Sequence, residues 1–149
     1  MIKGGEFDES LTSPRSSLEY SVAHNASSTS EYPYSIDMKA GSIDDNAILS
    51  TINNGIYISN LWYLNFSDRN NGRMTGLTRF GCFLVEDGEL TAPINTMRFD
   101  DSVYSMLGEN LVGLTSNREL LIDSGTSEER STSSARLPGA VVNKFKMTL

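Results

Sequence analysis

The stretch Gly72–Leu90, GRMTGLTRFGCFLVEDGEL, decides the fold of this chain. It combines a polar approach, a dense apolar strand over Leu77–Glu86, a turn at Asp87-Gly88 and the start of a return strand. Apolar side chains occupy both faces of the strand in its middle, which predicts a central position in a sheet. Aspartate followed by glycine suits the tight turn of an antiparallel hairpin. The stretch therefore predicts a β-hairpin at the centre of an antiparallel sheet.

Further strands are predicted on both sides of this hairpin. The run Gly55–Phe66 is β-branched, aromatic and apolar on both faces, which predicts an inner strand. A polar loop is expected over Ser67–Gly76. The return strand Leu90–Phe99 contains Pro93, a residue that sheets tolerate at an edge or a bulge. Shorter strands are predicted from alternating patterns at Leu18–Ala23, Tyr34–Gly41, Arg118–Gly125 and Ala140–Leu149.

Two short helices complete the pattern. Ser42 and Asp45 fit an S-x-x-D capping box ahead of the first helix, and Asn53–Gly55 provides a left-handed stop. The second helix is predicted to begin at Asp100 or Asp101 and to run for about three turns at most. Strands outnumber helices, which predicts a β-rich α+β domain, built as a mainly antiparallel sheet or a partly closed barrel.

Composition limits the classes of function. The chain has 149 residues, a formal net charge of −7 and a pI near 4.6. Nucleic acids and anionic membranes both demand a basic surface, so neither is an expected partner. The single cysteine, the absence of a signal-peptide pattern and the absence of a long apolar run together predict a cytoplasmic location. Residues 1–33 are expected to be a polar, loosely ordered segment ahead of a domain at residues 34–149.

The chain offers few groups for catalysis. Nucleophilic catalysis needs a base beside a serine or cysteine, and the only histidine, His24, lies in the polar N-terminal segment. Cys82 lies within the apolar strand, where a free cysteine acts as a small hydrophobic residue. Zinc sites take three or four ligands drawn mainly from histidine and cysteine, and this chain has one of each. The sequence therefore predicts neither a catalytic residue nor a metal site within this chain.

The run Asn53–Thr115 closely resembles the C-terminal domain of the TldD/PmbA family, which comprises zinc-dependent peptidases also labelled modulators of DNA gyrase. The shared segments are the GIYISNLWY strand, the TGLTRFG approach, the FLVEDGEL hairpin and the LVGLT segment that follows the second helix. The closing segment STSSARLPG is similar as well. The resemblance extends from about Pro33 to Leu149.

The resemblance implies that this domain normally follows an N-terminal domain with an H-E-x-x-x-H helix, which binds zinc and activates water. That motif is absent here. The metal-bearing branch also supplies a cysteine from the loop before the final Leu-Pro, and the matching loop, Gly125–Arg136, contains none. The chain therefore most resembles the metal-free, PmbA-like branch. It is expected to be inactive alone, with zinc held only by a metal-bearing partner; whether it is a fragment, a split subunit or a truncated gene stays open.

Three hypotheses about function remain. In the first, the chain is a non-catalytic domain that acts in dimer assembly and holds peptide for proteolysis. Its partner is then a TldD/PmbA-type subunit, in a homo- or heterodimer, and an extended peptide adds to a free strand edge. In the second, it is an active hydrolase whose metal or nucleophile comes from another chain. In the third, it is a protein-interaction module of the gyrase-modulator type, without peptidase activity.

Two sets of residues are candidates for these contacts. A domain that docks onto the rest of a larger protein is expected to expose an apolar patch. The candidates for that interface close the predicted inner strand: Trp62, Tyr63, Leu64 and Phe66. The candidates for peptide or partner contacts lie in or beside the two polar loops: Arg73, Thr75, Thr78, Arg79 and Arg130.

Overall fold

The computed structural model of the chain describes residues 2–3, 6–123 and 131–148. The strands of this part, in chain order, are β1 (Ile2–Lys3), β2 (Glu6–Phe7), β3 (Ser35–Asp37), β4 (Gly55–Asp68), β5 (Arg73–Glu86), β6 (Glu89–Pro93), β7 (Arg98–Ser102), β8 (Leu111–Ile122), β9 (Ser134–Val142) and β10 (Met147–Thr148). The helices are α1 (Pro14–Tyr20), α2 (Ile48–Ile52) and α3 (Val103–Met106), with a 3-10 turn at Asp45–Ala47 before α2. No helix within these ranges is long and apolar enough to cross a membrane.

The β-rich α+β prediction is confirmed. The described residues form sheets of two, five and three strands, and most of their strand pairs are antiparallel. These sheets are open, so no barrel closes among the described residues. The chain divides into two compact units, one of residues 1–38 with 119–137 and the other of residues 39–118 with 138–149. The boundary between residues 33 and 34 stays a prediction.

In the second unit, the sheet is built around β5, whose predicted central position is confirmed. This strand pairs with β4 along one edge and with β7 and then β6 along the other, and β10 adds to β7. The turn at Asp87-Gly88 has φ angles of +52° and +79°, as the predicted tight hairpin requires. Cys82, Val85 and Phe99 are buried and form the apolar core of this sheet.

The predicted position of β4 as an inner strand is wrong. Among the residues that the structure describes, β4 pairs with β5 alone and is therefore an edge strand. Its second half is exposed, although the sequence there is rich in large apolar side chains. An apolar pattern on both faces of a strand indicates that other residues cover both of those faces. It does not say that the cover comes from the same chain.

The predicted long loop over Ser67–Gly76 is also wrong, because β5 already begins at Arg73. The connection between β4 and β5 is a tight turn that Asp68 organises with its carboxylate. Its Oδ1 accepts the backbone N–H of Asn70 at 2.9 Å and that of Asn71 at 3.3 Å. The polar character of this region thus comes from a turn and from a polar strand start.

The second helix is shorter than predicted and begins later. Asp100 and Asp101 belong to β7, and α3 covers only the four residues from Val103. The Asp101 side chain is fully buried, and it accepts the backbone N–H groups of Ser102 at 2.8 Å and Lys146 at 3.0 Å. A carboxylate that resembled a helix cap in the sequence therefore ties the C-terminal segment to β7.

The first predicted helix exists, with a different cap. Asp44, rather than Ser42, accepts a backbone N–H, that of Asn46 at 2.8 Å, so the segment opens as a 3-10 turn at Asp45. The helix stops where predicted, since Asn53 follows α2 with a φ of +56°, but its ψ of −67° is not that of the predicted left-handed helical conformation.

The segment predicted as a strand at Leu18–Ala23 is not a strand: its first three residues end helix α1 of the first unit, and Ser21 follows with a φ of +54°. Ser13 caps this helix by accepting the N–H of Ser16 at 3.2 Å, and Pro14 occupies the first turn. The backbone N–H of Ser13 donates to the Glu31 carboxylate at 2.8 Å, which lowers the pKa of Glu31. This capped helix, rather than the alternating pattern of three apolar side chains, decides the local structure.

The remaining predicted strands are present with altered bounds. Tyr34–Gly41 contains β3, and Arg118–Gly125 overlaps the end of β8, with its last two residues outside the described part of the chain. Ala140–Leu149 comprises the end of β9 and β10. The return strand Leu90–Phe99 divides into β6 and β7, and Pro93 ends β6 at a sheet edge, as predicted.

Candidate docking and peptide-binding edge

The free edge of β4 carries the four residues predicted as an interface: Trp62, Tyr63, Leu64 and Phe66. Tyr63 is 77% exposed, and each of the other three is about half exposed. In the described parts of the chain no strand pairs with the outer edge of β4, so its outward backbone groups have no partner strand. We call these four residues the aromatic edge.

A bulge shapes the aromatic edge. Tyr63 and Leu64 on β4 lie opposite the single residue Gly76 on β5. Tyr63 has a φ of +56°, a left-handed conformation that is disfavoured for a large side chain. A Cβ atom at Gly76 would lie 2.8 Å from Leu64 Cδ2 and 2.9 Å from Phe99 Cε1. Glycine at this position therefore allows the bulged strand to approach β5 closely.

A second bulge lies on β5 and exposes another aromatic side chain. Phe80 and Gly81 lie opposite Ser59, and Phe80 has a φ of +62° and is 73% exposed. Between the two bulges, the guanidinium carbon of Arg79 lies 4.3 Å from the centroid of the Trp62 ring and 5.0 Å from that of the Phe80 ring. Both distances are within the range of cation–π attraction.

Arg73, one of the residues predicted to contact peptide, forms an ion pair within the sheet. Its Nη2 atom lies 2.6 Å from Asp100 Oδ1 and 3.3 Å from the backbone oxygen of Asp100. A hydrogen bond from the Ser67 side chain is the largest cause that lowers the pKa of the Asp100 carboxyl, and the hydrogen bond and charge of Arg73 lower it further. The charge of Arg73 is therefore satisfied by β7.

Thr75 and Thr78 also bond to the strand segment that follows β6. Thr75 Oγ1 donates to the backbone oxygen of Phe99 at 2.9 Å. Thr78 is fully buried, and its hydroxyl accepts the N–H of Met97 at 2.9 Å. Arg130 lies outside the described residues. Of the five predicted contact residues, the structure thus places Arg79 beside the aromatic edge and gives Arg73, Thr75 and Thr78 internal partners.

Phe80 was not singled out from the sequence, although a signal for it existed. An isolated glycine within a strand pattern indicates a bulge, and β5 contains two, Gly76 and Gly81. The residue beside such a glycine is the one whose direction changes. This signal identifies Phe80 and, across the strand pair, Tyr63.

The described residues contain no group of three or more histidine, cysteine, aspartate and glutamate side chains that could hold a metal ion. His24 is exposed, and its Nδ1 accepts the N–H of Ala26 at 3.2 Å. Cys82 is buried, as predicted, and its thiol donates to the backbone oxygen of Arg79 at 3.4 Å. These donors do not fit the zinc site that a metallopeptidase requires.

A shallow depression of about 310 Å³ lies in the first unit. Its lining is mainly apolar and includes Tyr32, Tyr34, Ile36, Leu121 and Ile122. Asp123, Ser133 and Ser134 also line it, and the Ser133 hydroxyl donates to the backbone oxygen of Tyr34 at 3.0 Å.

A comparison with known proteins places these features in a family. The family profile of the PmbA/TldA metallopeptidase C-terminal domain matches residues 1–149. The crystal structure of TldE from Thermococcus kodakarensis is similar with a TM-score of 0.60 and 17% sequence identity, over 77% of this chain and 24% of that chain. This chain thus spans about a quarter of that protein, and at this identity the likeness shows the fold. No curated protein matches the chain. The chain belongs to the PmbA/TldA metallopeptidase C-terminal domain family.

Proposed function

We propose that this chain is the non-catalytic C-terminal domain of a TldD/PmbA-like peptidase subunit of the metal-free branch. It assembles with a TldD/PmbA-type subunit, as a homo- or heterodimer, and holds peptide substrate for proteolysis. Zinc and the groups that activate water belong to the metal-bearing partner. The observation that carries this proposal is the unpaired edge of β4, a 14-residue strand with exposed aromatic side chains.

The peptide-holding role rests on the backbone of β4. An unpaired strand edge presents a row of N–H and C=O groups, which an extended peptide satisfies by adding as a further strand. Recognition through the main chain accepts many sequences, as a peptidase chamber requires. The bulge at Tyr63 and Leu64 interrupts the edge, so the segment available to a peptide is Gly55–Trp62, in which the register with β5 shifts once, at Ser59.

The assembly role rests on the part of the aromatic edge that lies beyond that segment. Tyr63, Leu64 and Phe66 expose apolar area in close succession, and burying it against another subunit removes it from water. The same feature suits the alternative function, a protein-interaction module of the gyrase-modulator type. The two functions differ in whether the chain binds extended peptides.

The test is a titration of the chain with an extended peptide of about seven residues that lacks tryptophan. Trp62 is the only tryptophan of the chain, so its fluorescence reports on the β4 edge directly. Two further peptides of the same sequence carry N-methyl groups on alternate residues, one in each of the two possible sets. Methylation removes the N–H donors from one edge of a strand and leaves the other edge intact.

We expect the unmodified peptide to bind and one methylated peptide to lose at least about tenfold in affinity, because several backbone hydrogen bonds are lost together. The second methylated peptide is the matched control, because its free edge still reaches β4. Equal affinity of all three peptides contradicts strand addition. Self-association of the chain without any peptide binding favours the interaction module instead.

A further inference from the structure

Arg79 is held in place by aromatic rings and has no anionic partner. Its guanidinium lies over Trp62 and beside Phe80, and it is half-buried. The one ion pair found within the described ranges joins Arg73 to Asp100, and the Arg79 side chain makes no hydrogen bond there. The charge of Arg79 is therefore available to an anion that a ligand brings, and a partly buried position makes such a pairing stronger than it is in open water.

The hydrogen-bond donors of the Arg79 side chain are available to a ligand, because none of them is used within the described residues. A guanidinium is planar, and its five N–H donors lie in that plane. Cation–π attraction to a ring does not depend on these donors forming hydrogen bonds, so an oxygen ligand can still use them. The rings also restrict the side chain before a ligand arrives, which lowers the entropy lost on binding.

The surroundings of Arg79 are both exposed and strained. Trp62 is 50% exposed and Phe80 is 73% exposed, so a ligand can reach the cluster. Phe80 keeps a positive φ of +62° at its bulge, where a glycine would be free of strain. Strain of this kind persists at sites where a side chain must point in a particular direction.

We propose that Arg79, Trp62 and Phe80 form a carboxylate-binding site for an extended peptide that lies along β4. This inference rests on the proposed peptide-holding function and adds a specificity to it. The carboxylate is either the C-terminal α-carboxylate of the peptide or an aspartate or glutamate side chain. Both present the same planar pair of oxygens to the guanidinium.

A carboxylate fits this site better than a phosphate group does. A single guanidinium matches the one negative charge of a carboxylate and its two oxygens in a bidentate pair. A phosphate group carries up to two charges, and the chain has a formal net charge of −7. A phosphate ligand would therefore require more cationic side chains than this cluster provides.

The experiment is a fluorescence titration of Trp62 with four peptides of one extended sequence. Two of them end in a free carboxylate or in a carboxamide and contain no acidic side chain. The other two both end in a carboxamide and carry either glutamate or glutamine at one position. The protein samples are the wild-type chain, Arg79→Gln, Arg79→Lys and Arg69→Gln, the last being an equal charge change at an exposed position of the β4–β5 turn.

We expect a peptide with a carboxylate to bind at least about tenfold more tightly than its neutral counterpart, as for a hydrogen-bonded charge pair. Arg79→Gln is expected to abolish this preference while leaving the neutral peptides bound. Arg79→Lys should restore it in part, since lysine keeps the charge and loses the fork. Arg69→Gln should retain the wild-type preference. The pair of peptides that shows the preference identifies whether the site binds a C-terminal carboxylate or an acidic side chain.

Equal binding of acidic and neutral peptides overturns the carboxylate site and leaves the peptide-holding function standing. The same holds for a preference that survives in Arg79→Gln. If none of the four peptides binds, both the site and the peptide-holding function are wrong. Thermal unfolding of each variant accompanies the titrations, so that a loss of fold is distinguished from a loss of the site.

Discussion

At the scale of single residues, the most informative feature is the backbone of two exposed aromatic residues. Tyr63 and Phe80 both have positive φ angles and both lie at bulges of the β4–β5 pair. A non-glycine residue in this region costs on the order of 1–3 kcal/mol. Neither side chain is buried, so packing within the described residues does not compensate for this cost. Contacts with a partner provide a physical reason for keeping them.

This reasoning predicts the effect of Tyr63→Gly. Glycine adopts a positive φ without strain, and this relief offsets the flexibility that glycine adds to the unfolded chain. We expect the free energy of unfolding to change by less than about 1 kcal/mol. Self-association, measured by light scattering over a range of concentrations, should weaken because an exposed aromatic ring of the interface is lost.

Tyr57→Gly is the matched control for this variant. Tyr57 lies on the same strand opposite Phe83, is half-buried and has no positive φ, so glycine there loses packing and gains no relief of strain. It should destabilise the chain more than Tyr63→Gly does. An assembly that Tyr63→Gly leaves unchanged would contradict the assignment of Tyr63 to the interface.

At the scale of secondary-structure elements, polar side chains hold β5 against β7 and the segment before it. The ion pair of Arg73 with Asp100 lies at one end of this pairing, and the bond of Thr78 to the Met97 N–H lies at the other. Asp101 extends the series to the C-terminal segment through Lys146. Residues that looked available for a ligand in the sequence therefore stabilise the sheet.

The pH dependence of stability tests this role for Asp100. Hydrogen bonds from Ser67 and Arg73 lower the pKa of Asp100 in the folded chain. A lowered pKa stabilises the fold above the unfolded-state value of about 3.9, and this contribution is lost as the pH falls through the folded-state pKa. We expect the unfolding temperature of the wild type to decrease as the pH is lowered below about 4. The unfolding temperature of Asp100→Asn should decrease less over the same pH range.

Asp8→Asn, a change of an exposed carboxylate in the N-terminal segment, is the control and should keep the wild-type profile. Asp68 contributes to the same acid sensitivity, because hydrogen bonds from Asn71 lower its pKa as well. Identical profiles for Asp100→Asn and the wild type would show that the ion pair adds nothing to folding.

At the scale of the whole molecule, the number of histidine and cysteine residues limits whether the chain can bind zinc. One histidine and one cysteine cannot complete a zinc site of the usual kind, and Cys82 is buried in the sheet. A ligand that binds only the folded chain raises its stability in proportion to the logarithm of its concentration. Zinc therefore gives a direct test of the proposal that catalysis belongs to another subunit.

We expect neither added zinc nor a strong chelator to change the unfolding temperature of the purified chain, and metal analysis to find far less than one equivalent. The chain alone should not hydrolyse peptides. A rise of several degrees with micromolar zinc, or one equivalent of metal in a monomer, would contradict the proposal. Catalysis would then have to be sought around His24 and Cys82.

The sequence by itself determined the hairpin of β5 and β6, the central place of β5, the edge position of Pro93 and the burial of Cys82. These features follow from local signals: an Asp-Gly turn, apolar residues on both faces and a missing backbone donor. It also determined the supply of metal ligands, because composition alone limits that. The long ordered similarity of its segments to the TldD/PmbA family also indicated the family.

Only the tertiary structure decided that β4 is an edge strand and that Asp100 and Asp101 serve β7. Both outcomes depend on partners distant in the chain, such as Lys146 for Asp101, and no local pattern reports such a partner. The contact of the Arg79 guanidinium with the Trp62 and Phe80 rings is likewise decided by the tertiary structure. It depends on the register of two strands and on the bulges that shift it, since a shift of one residue turns a side chain to the other face.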